Sequence, residues 1–432
     1  MKSLRNSMRF GRVLGVKHQR RMRGKELRSM TYENELFQER VVRVERPSAH
    51  FTLLRAPNGA FLRASDDGLA VFDYVDDKAI WESVEEGTAY RHVVTDLVLE
   101  VEAADSGKGC YLRHEGDRLA SDGTTTVDDG AAIFFAGHGP AHLPSEYLKT
   151  LQENGWVCLP SIIAPDAVEE LERISCTGRW DHETYDRSTG ALVKGIAVAQ
   201  AATEPVSLWV MRQYMRTSEI RMGHPPGLAI LTPDDGERDV QGWHSDFPYH
   251  WGIFATRGTG PEIPPHNFPE LVMGVQRNLC VSEFRKENGA TCFKLGSHAL
   301  GEGPPDEWGP GHIYRQPGYR AAHGLPYNGP DADVVEAPGG SYILYDSRVW
   351  HRAGVNRTDR KRAAMLQAVI PMYIMPKTDT SRAYRNFIES PLAGELTPLE
   401  LKELKALMIT RIEGSGGKHV VTTDAALSKI VE

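Results

Sequence analysis

The stretch "WHSDFP", residues 243–248, sets His244 and Asp246 two positions apart. Along an extended strand, positions i and i+2 face the same way. An imidazole and a carboxylate at that spacing can therefore reach one point in space, as ligands of a divalent metal must. Alone the pair is weak evidence, because a chain with 16 histidines and 58 acidic residues produces H-x-D by chance. A hydrogen-bonded loop histidine is the simpler account unless a third ligand comes from elsewhere.

Residues 339–371, "GGSYILYDSRVWHRAGVNRTDRKRAAMLQAVIP", supply a candidate. "SYILYD" reads as a strand ending near Asp346, and His351 opens the next one. Arg362 then heads "RAAMLQAVIP", an alternating strand with Arg362, Ala364, Leu366 and Ala368 on one face. An arginine at the head of a row of small and apolar residues is a costly buried cation unless an anion meets it. Arg360 falls on the same face and competes for that role, but its position relative to the apolar run favours Arg362. Two histidines and one aspartate are the donor set of the facial triad of non-haem Fe(II) sites, which leaves three metal positions open. 2-Oxoglutarate would fill two through its C1 carboxylate and keto oxygen, and dioxygen the third. The fork of an arginine can grip the distal carboxylate with two hydrogen bonds.

The rest of the chain must position these groups. At 432 residues it exceeds what one hydrophobic core usually serves, so two domains are expected, with one enlarged domain as the alternative. It is 41% hydrophobic and 25% charged with a mean hydropathy of -0.40, and no apolar run approaches the roughly 20 residues of a membrane span. A net charge of -8 argues against nucleic acid as a partner and leaves a small-molecule substrate. Residues 1–30 are the exception, with ten Lys or Arg and one acid, Glu26. The segment 1–45 reads either as a solvated, disordered tail or as an organelle-targeting segment. "RVLGVKHQR" is loosely similar to an N-terminal peroxisomal signal, with Arg20 wrong for its last position. Cys110, Cys158, Cys176, Cys280 and Cys292 are scattered and odd in number, and no secretory apolar region precedes them. Free thiols in an intracellular, cytoplasmic setting are the expectation.

Residues 46–138 read as a small β domain of short alternating strands between Gly, Asp and Asn turns. "NGAFLRASDDGLAVF" and "GCYLRHEGDRLASD" look like one unit repeated. Such units resemble fascin-like or ricin-like β-trefoil repeats, and the length implies a partial trefoil or a small barrel. Its role is either packing against the next domain or recognition of a sugar or partner. After a linker at 137–146, a domain is expected over 144–390. It opens with a helix carrying Tyr147, Leu148 and Leu151 that breaks at Gly155, then a strand "WVCLPSII", then a helix with Pro165 in its first turn. Residues 395–432 contribute a C-terminal helix, with Leu399, Leu401, Leu404 and Leu407 at helical spacing.

H-x-D, a distant His and an Arg eleven residues later resemble the phytanoyl-CoA dioxygenase family of Fe(II)/2-oxoglutarate enzymes. "NGWVCLPSIIAPDAVEELERI" is similar to the family's opening strand and helix, and "ENGATCFKLGSHALGEG", residues 287–303, to its "pGSH" segment. The resemblance spans residues 145 to about 375. It implies a double-stranded β-helix, a jelly-roll or cupin-like fold with flanking helices and the metal at its open mouth. It would make His244, Asp246 and His351 the iron ligands and Arg362 the clamp for the C5 carboxylate. Some fungal natural-product members also resemble the chain in Gln241 and Thr291, which would hydrogen-bond 2-oxoglutarate. The other account of those two is ordinary strand polarity.

An aspartate at 246, where halogenases of the family carry a small residue, implies hydroxylation or a related oxidation. His298 reads as a turn residue. His250 precedes and His266 lies within "GIFATRGTGPEIPPHNFPE", a loop long enough to cover a substrate; Trp243, Tyr249, Trp251 and Phe254 either wall the pocket or anchor that loop. "WHSDF" is also similar to ectoine hydroxylases, but only locally. Arg257, Arg315 and Arg320 are too few to imply binding of coenzyme A phosphates.

The expected activity is Fe(II)- and 2-oxoglutarate-dependent hydroxylation of an unactivated C–H bond in a lipid-like or natural-product molecule, consuming O2 and releasing succinate and CO2. Two alternatives stay open. A cupin-type metalloenzyme without 2-oxoglutarate would not need Arg362. A non-catalytic binding protein would be expected to have lost a member of the triad.

Overall fold

The computed structural model describes residues 39–422, except 85–86, 106, 128–129, 250–269, 306–307, 309–317, 324, 326–330, 409–410 and 416–417. The basic N-terminus up to residue 38 thus lies outside the described residues. So do His250, Trp251, Phe254, Arg257, His266 and Arg315, with the long loop that carries most of them.

The chain enters on strand β1 (Glu39–Arg43) and then builds an antiparallel sheet of ten short strands. These are β2 (Thr52–Arg55), β3 (Phe61–Ser65), β4 (Gly68–Phe72), β5 (Trp81–Val84), β6 (Ala89–His92), β7 (Val98–Ala103), β8 (Cys110–His114), β9 (Asp117–Leu119), β10 (Thr125–Thr126) and β11 (Phe135–His138). The two similar sequence units form equivalent hairpins, β3–β4 and β8–β9. In each, the leucine before the arginine, Leu62 or Leu112, is fully buried in a cluster that includes Trp81 and Phe134. The sheet curls until the Val71 amide of β4 donates to Asp122 O at 3.0 Å.

Helix α1 (Pro144–Asn154) ends where Gly155 adopts φ 72°, followed by β12 (Trp156–Leu159), α2 (Pro165–Ser175), α3 (Ile196–Ala202) and α4 (Pro205–Tyr214). Next come β13 (Ile220–Met222), β14 (Gly227–Leu231), β15 (Val275–Cys280), β16 (Cys292–Lys294), β17 (Ala332–Glu336), β18 (Ser341–Asp346), β19 (Trp350–Arg352) and β20 (Arg362–Pro371). Helices α5 (Ser381–Ile388) and α6 (Pro398–Leu407) follow.

Of the two sheets that follow, the larger runs β12-β18-β15-β20-β13, with β14 also on β20; the smaller runs β1-β17-β16-β19. Together they are the two walls of a jelly-roll, cupin-like half-barrel. Ile343, Tyr345 and Ala364 of the larger sheet meet Cys292, Phe293, Val334 and Trp350 of the smaller in one buried cluster. The other face of the larger sheet, with Leu279, Leu344, Met365 and Val369, packs against the helices.

Residues 39–43, read from the sequence as part of the tail, instead form β1, parallel to β17. Charge rather than apolar alternation holds it. Arg40 pairs with Asp333, Arg43 with Glu336 at 3.1 Å, and Glu39 with Arg352 at 2.9 Å, the last pair almost wholly buried.

The curled N-terminal sheet shares a core with the helical layer, since Leu53, Phe61 and Ile80 cluster with Leu399, Leu404 and Met211. Asn58 O accepts from the Leu399 amide at 3.0 Å, and Arg55 pairs with Glu400 at 3.0 Å. Among the described residues no helix is long and apolar enough to cross a membrane.

Candidate metal centre

The "WHSDFP" segment is held against β19 by main-chain pairing. His244 N donates to His351 O and His351 N to His244 O, each at 3.0 Å, and Asp246 N donates to Ser347 O at 2.9 Å. Residues directly opposite each other across such a pair share a face, so the two imidazoles meet with ring centroids 4.2 Å apart. Asp246 completes the group: its Oδ1 lies 3.8 Å from His244 Nε2 and its Oδ2 3.1 Å from His351 Nε2. One ligand atom from each of the three lies within 4.8 Å of the others. Atoms on one face of an octahedron with bonds of about 2.1 Å stand about 3 Å apart, so a small closure would seat a metal.

Both rings are fixed in the tautomer a metal needs. His244 Nδ1 donates to Gly242 O at 2.7 Å and His351 Nδ1 to Val349 O at 3.0 Å. Each carbonyl lies two residues before its histidine, and each bond leaves Nε2 as the atom for a metal, that of His351 facing Asp246 and that of His244 facing Gln241 and Asp246. Tyr345 Oη donates to Asp246 Oδ2 at 3.3 Å and accepts from Asn278 Nδ2 at 3.2 Å, so the carboxylate is oriented from the larger sheet. Burial alone would raise the Asp246 pKa, but the facing His351 and His244 hold it below the usual carboxylate range. Burial pushes the His351 imidazole down, and Asp246 more than offsets that. A site that holds a proton between Nε2 and a carboxylate is one where a metal cation can replace it.

His244, Asp246 and His351 line a cavity of about 290 Å³ together with Gln241, Thr291, Leu366 and Arg362. Arg362 is 8% exposed. Its Nη2 donates to Gly289 O, its guanidinium lies 4.4 Å from the Phe284 ring centroid, and its Nε has no hydrogen-bond partner. No carboxylate pairs with it among the described residues, and burial lowers its pKa to about 10. A buried, half-satisfied fork at the wall of a metal pocket suits an anionic chelator with a second carboxylate.

The other sequence candidates fall apart from this group in instructive ways. Gln241 lines the cavity but directs its Nε2 to His244 Nε2 at 2.8 Å. Arg360 reaches outward to Gly178 O, which removes it from the pocket. His298 packs on Gly155, where a Cβ would lie 2.2 Å from its Nδ1. Arg320 is not a phosphate contact, because it is buried in a two-pronged pair with Asp234 at 2.6 and 2.8 Å. Trp243 and Tyr249 are core anchors: Trp243 is 1% exposed beside Trp308, and the Tyr249 hydroxyl donates to Leu271 O at 3.2 Å.

Sequence reasoning missed Tyr345, Asn278 and Gln276, all of which line the cavity. The available signal was the alternation in "SYILYD", which puts Tyr345 on the face opposite Tyr342 and Leu344.

Residues 151–364 match the phytanoyl-CoA dioxygenase (PhyH) family. The chain is 24% identical over 275 residues to dioxygenase trt7 of Aspergillus terreus (strain NIH 2624 / FGSC A1156), covering 60% of this chain and 84% of that one. It is 30% identical over 175 residues to dioxygenase olcK of Penicillium canescens, covering 40% of this chain and 46% of the relative. A solved structure of the epimerase SnoN, in complex with Fe3+, alpha ketoglutarate and nogalamycin RO, aligns over 53% of this chain and 84% of its own. That alignment has 14% identity and a TM-score of 0.38. On the family match and the dioxygenase relatives, with a His-Asp-His cluster inside the matched residues, the segment 151–364 of this chain belongs to the phytanoyl-CoA dioxygenase family of non-haem dioxygenases, which use Fe(II), 2-oxoglutarate and O2.

Proposed function

We propose that His244, Asp246 and His351 hold Fe(II), that Arg362 binds the C5 carboxylate of 2-oxoglutarate, and that the enzyme hydroxylates an unactivated C–H bond of a small, largely apolar molecule. When bound, the metal and its cosubstrates supply the oxidation, in which R–H, 2-oxoglutarate and O2 become R–OH, succinate and CO2. The protein's part is to bind, orient and exclude water. The two Nδ1-anchored imidazoles and the Tyr345-anchored carboxylate present three donors on one side of the metal, leaving the cavity side for the cosubstrates. Thr291 lines the same cavity and would add a hydrogen bond to 2-oxoglutarate. Gln241 would do the same once its amide leaves His244 Nε2. Ala229, Leu231 and Leu366 give the cavity an apolar wall for the substrate.

The observation that carries this reading is Arg362, a buried guanidinium without a carboxylate, lining one cavity with a metal-ligating triad. The test is an anaerobic titration of metal-free protein with Fe(II) and then 2-oxoglutarate, following the visible charge-transfer absorption. The band is expected to form in the wild type, to vanish in His351→Ala and to weaken in Arg362→Ala. A folded wild-type protein that gives no band would sink the assignment.

A further inference from the structure

Seven arginines are buried among the described residues. Five lie within 4 Å of a carboxylate: Arg63 with Asp76, Arg277 with Glu204, Arg320 with Asp234, Arg348 with Asp346, and Arg352 with Glu39. The two left over are Arg362 and Arg221. An unpaired buried cation is costly, and Arg362 already has a use. Arg221 has none so far: it is 2% exposed, and its Nε and Nη1 lack hydrogen-bond partners. Burial pulls its pKa down, with Glu219 alone opposing.

The register shows which way Arg221 faces. Its strand neighbours Ile220 and Met222 belong to the core under the helices, so Arg221 lies on the other face of the sheet. It pairs with Ile370, and alternation along β20 puts Ile370 on the face of Arg362, Ala364 and Leu366, which line the metal cavity. Tyr345, Gln276 and Ala368 form one row across that face, and Tyr345 and Gln276 both line the cavity. Arg221 stands one row further, about 7 Å along the strand direction.

Gly223 and the Phe247 ring lie beside this row. Gly223 N donates to Ala368 O at 2.7 Å, and a Cβ on Gly223 would lie 3.1 Å from the ring of Phe247, the residue after Asp246. His224 lines the cavity itself. Thr378 N donates to Gly223 O at 3.1 Å, and the exposed Lys377 precedes it in the chain.

We propose that Arg221 receives an oxyanion of the substrate, a carboxylate or a phosphate, while the apolar body of the same molecule lies in the metal cavity. The substrate is then an amphiphile, held by its head at Arg221 so that a carbon some distance along its body meets the metal. Arg221 is a specificity-determining residue with no part in cosubstrate binding. The inference rests on the function proposed above and adds the substrate's chemical class.

The test measures calorimetric binding of dodecanoate, dodecyl phosphate and dodecan-1-ol to the anaerobic enzyme loaded with Fe(II) and 2-oxoglutarate, so that Arg362 is already occupied. One of the two anions is expected to bind at least about tenfold more tightly than the alcohol, the gain of a charge-assisted hydrogen bond, and the tighter one identifies the head group. Arg221→Gln is expected to erase that preference, and Arg221→Lys to keep part of it, with the charge-transfer band intact in both. Equal binding of anions and alcohol by the wild type would overturn the proposal, and that comparison stands even if the Arg221→Gln protein does not fold. An unchanged preference in a folded Arg221→Gln protein would overturn it too. Absence of the charge-transfer band would instead defeat the iron and 2-oxoglutarate assignment, so the two failures are separable.

Discussion

His244 and His351, far apart in the chain, lie directly opposite each other, joined by two main-chain hydrogen bonds of 3.0 Å with their rings 4.2 Å apart. Because the pairing is made by the backbone, the side chains can change while the pairing stays. His351→Ala is therefore expected to keep its circular dichroism spectrum and lose Fe(II) binding. Tyr345→Phe removes the hydroxyl that donates to Asp246 at 3.3 Å and accepts from Asn278 at 3.2 Å. It should weaken Fe(II) affinity by about tenfold, the low end for a group that orients a ligand. Isothermal titration under argon reads both, and a Tyr345→Phe protein with wild-type affinity would remove Tyr345 from the site.

Arg362 sets function against stability. Its guanidinium is buried and meets no carboxylate among the described residues, so an apolar replacement of similar length relieves desolvation in the metal-free protein. Arg362→Met is expected to leave the melting temperature of the metal-free protein unchanged or raised, while the KM for 2-oxoglutarate rises by about a hundredfold or more, the loss of a two-pronged charged contact. A large drop in melting temperature with little change in KM would make Arg362 a packing residue.

What the sequence disclosed and what it concealed follow from range. The H-x-D pair, His351 and Arg362 were legible because each sits in a short motif at a set spacing, and the helices at 144–154, 165–175 and 398–407 because periodicity and caps are local. Tyr345 was hidden inside an apolar strand whose inner face only the sheet pairing defines. The pairing of Arg320 with Asp234 was equally invisible, since nothing local couples them. β1 was missed for the same reason: "ERVVR" reads as a charged tail until Asp333, Glu336 and Arg352 arrive from distant strands to neutralise it.

The pair at the start of β1 makes a separate prediction. Glu39 and Arg352 are 2% and 3% exposed in their side chains and lie 2.9 Å apart. Removing one partner strands the other as an uncompensated buried charge, at a cost of about 3–5 kcal/mol. Glu39→Ala should lose that much stability in urea titration, whereas the exposed Arg40→Ala, whose partner keeps the Leu295 amide, should lose about 1 kcal/mol or less. Equal effects from the two would refute the view that the buried pair secures β1.

The curled N-terminal sheet shares its core with the helices behind the metal centre, and Gly59 marks the joint. It adopts φ +89°, and a Cβ there would lie 2.4 Å from Thr397 Oγ1, the residue whose side chain caps α6. Gly59→Ala thus combines left-handed strain with a collision at a helix cap, a cost of about 2 kcal/mol or more. Because Leu53, Phe61 and Ile80 of the sheet are buried among Leu399, Leu404 and Met211, the loss should spread to the whole chain rather than release one part. Scanning calorimetry of the wild type should show one main transition, and Gly59→Ala should move that transition down without splitting it. Two transitions in the wild type, with only the lower one shifted by the substitution, would mean that the sheet folds independently and merely rests on the dioxygenase fold.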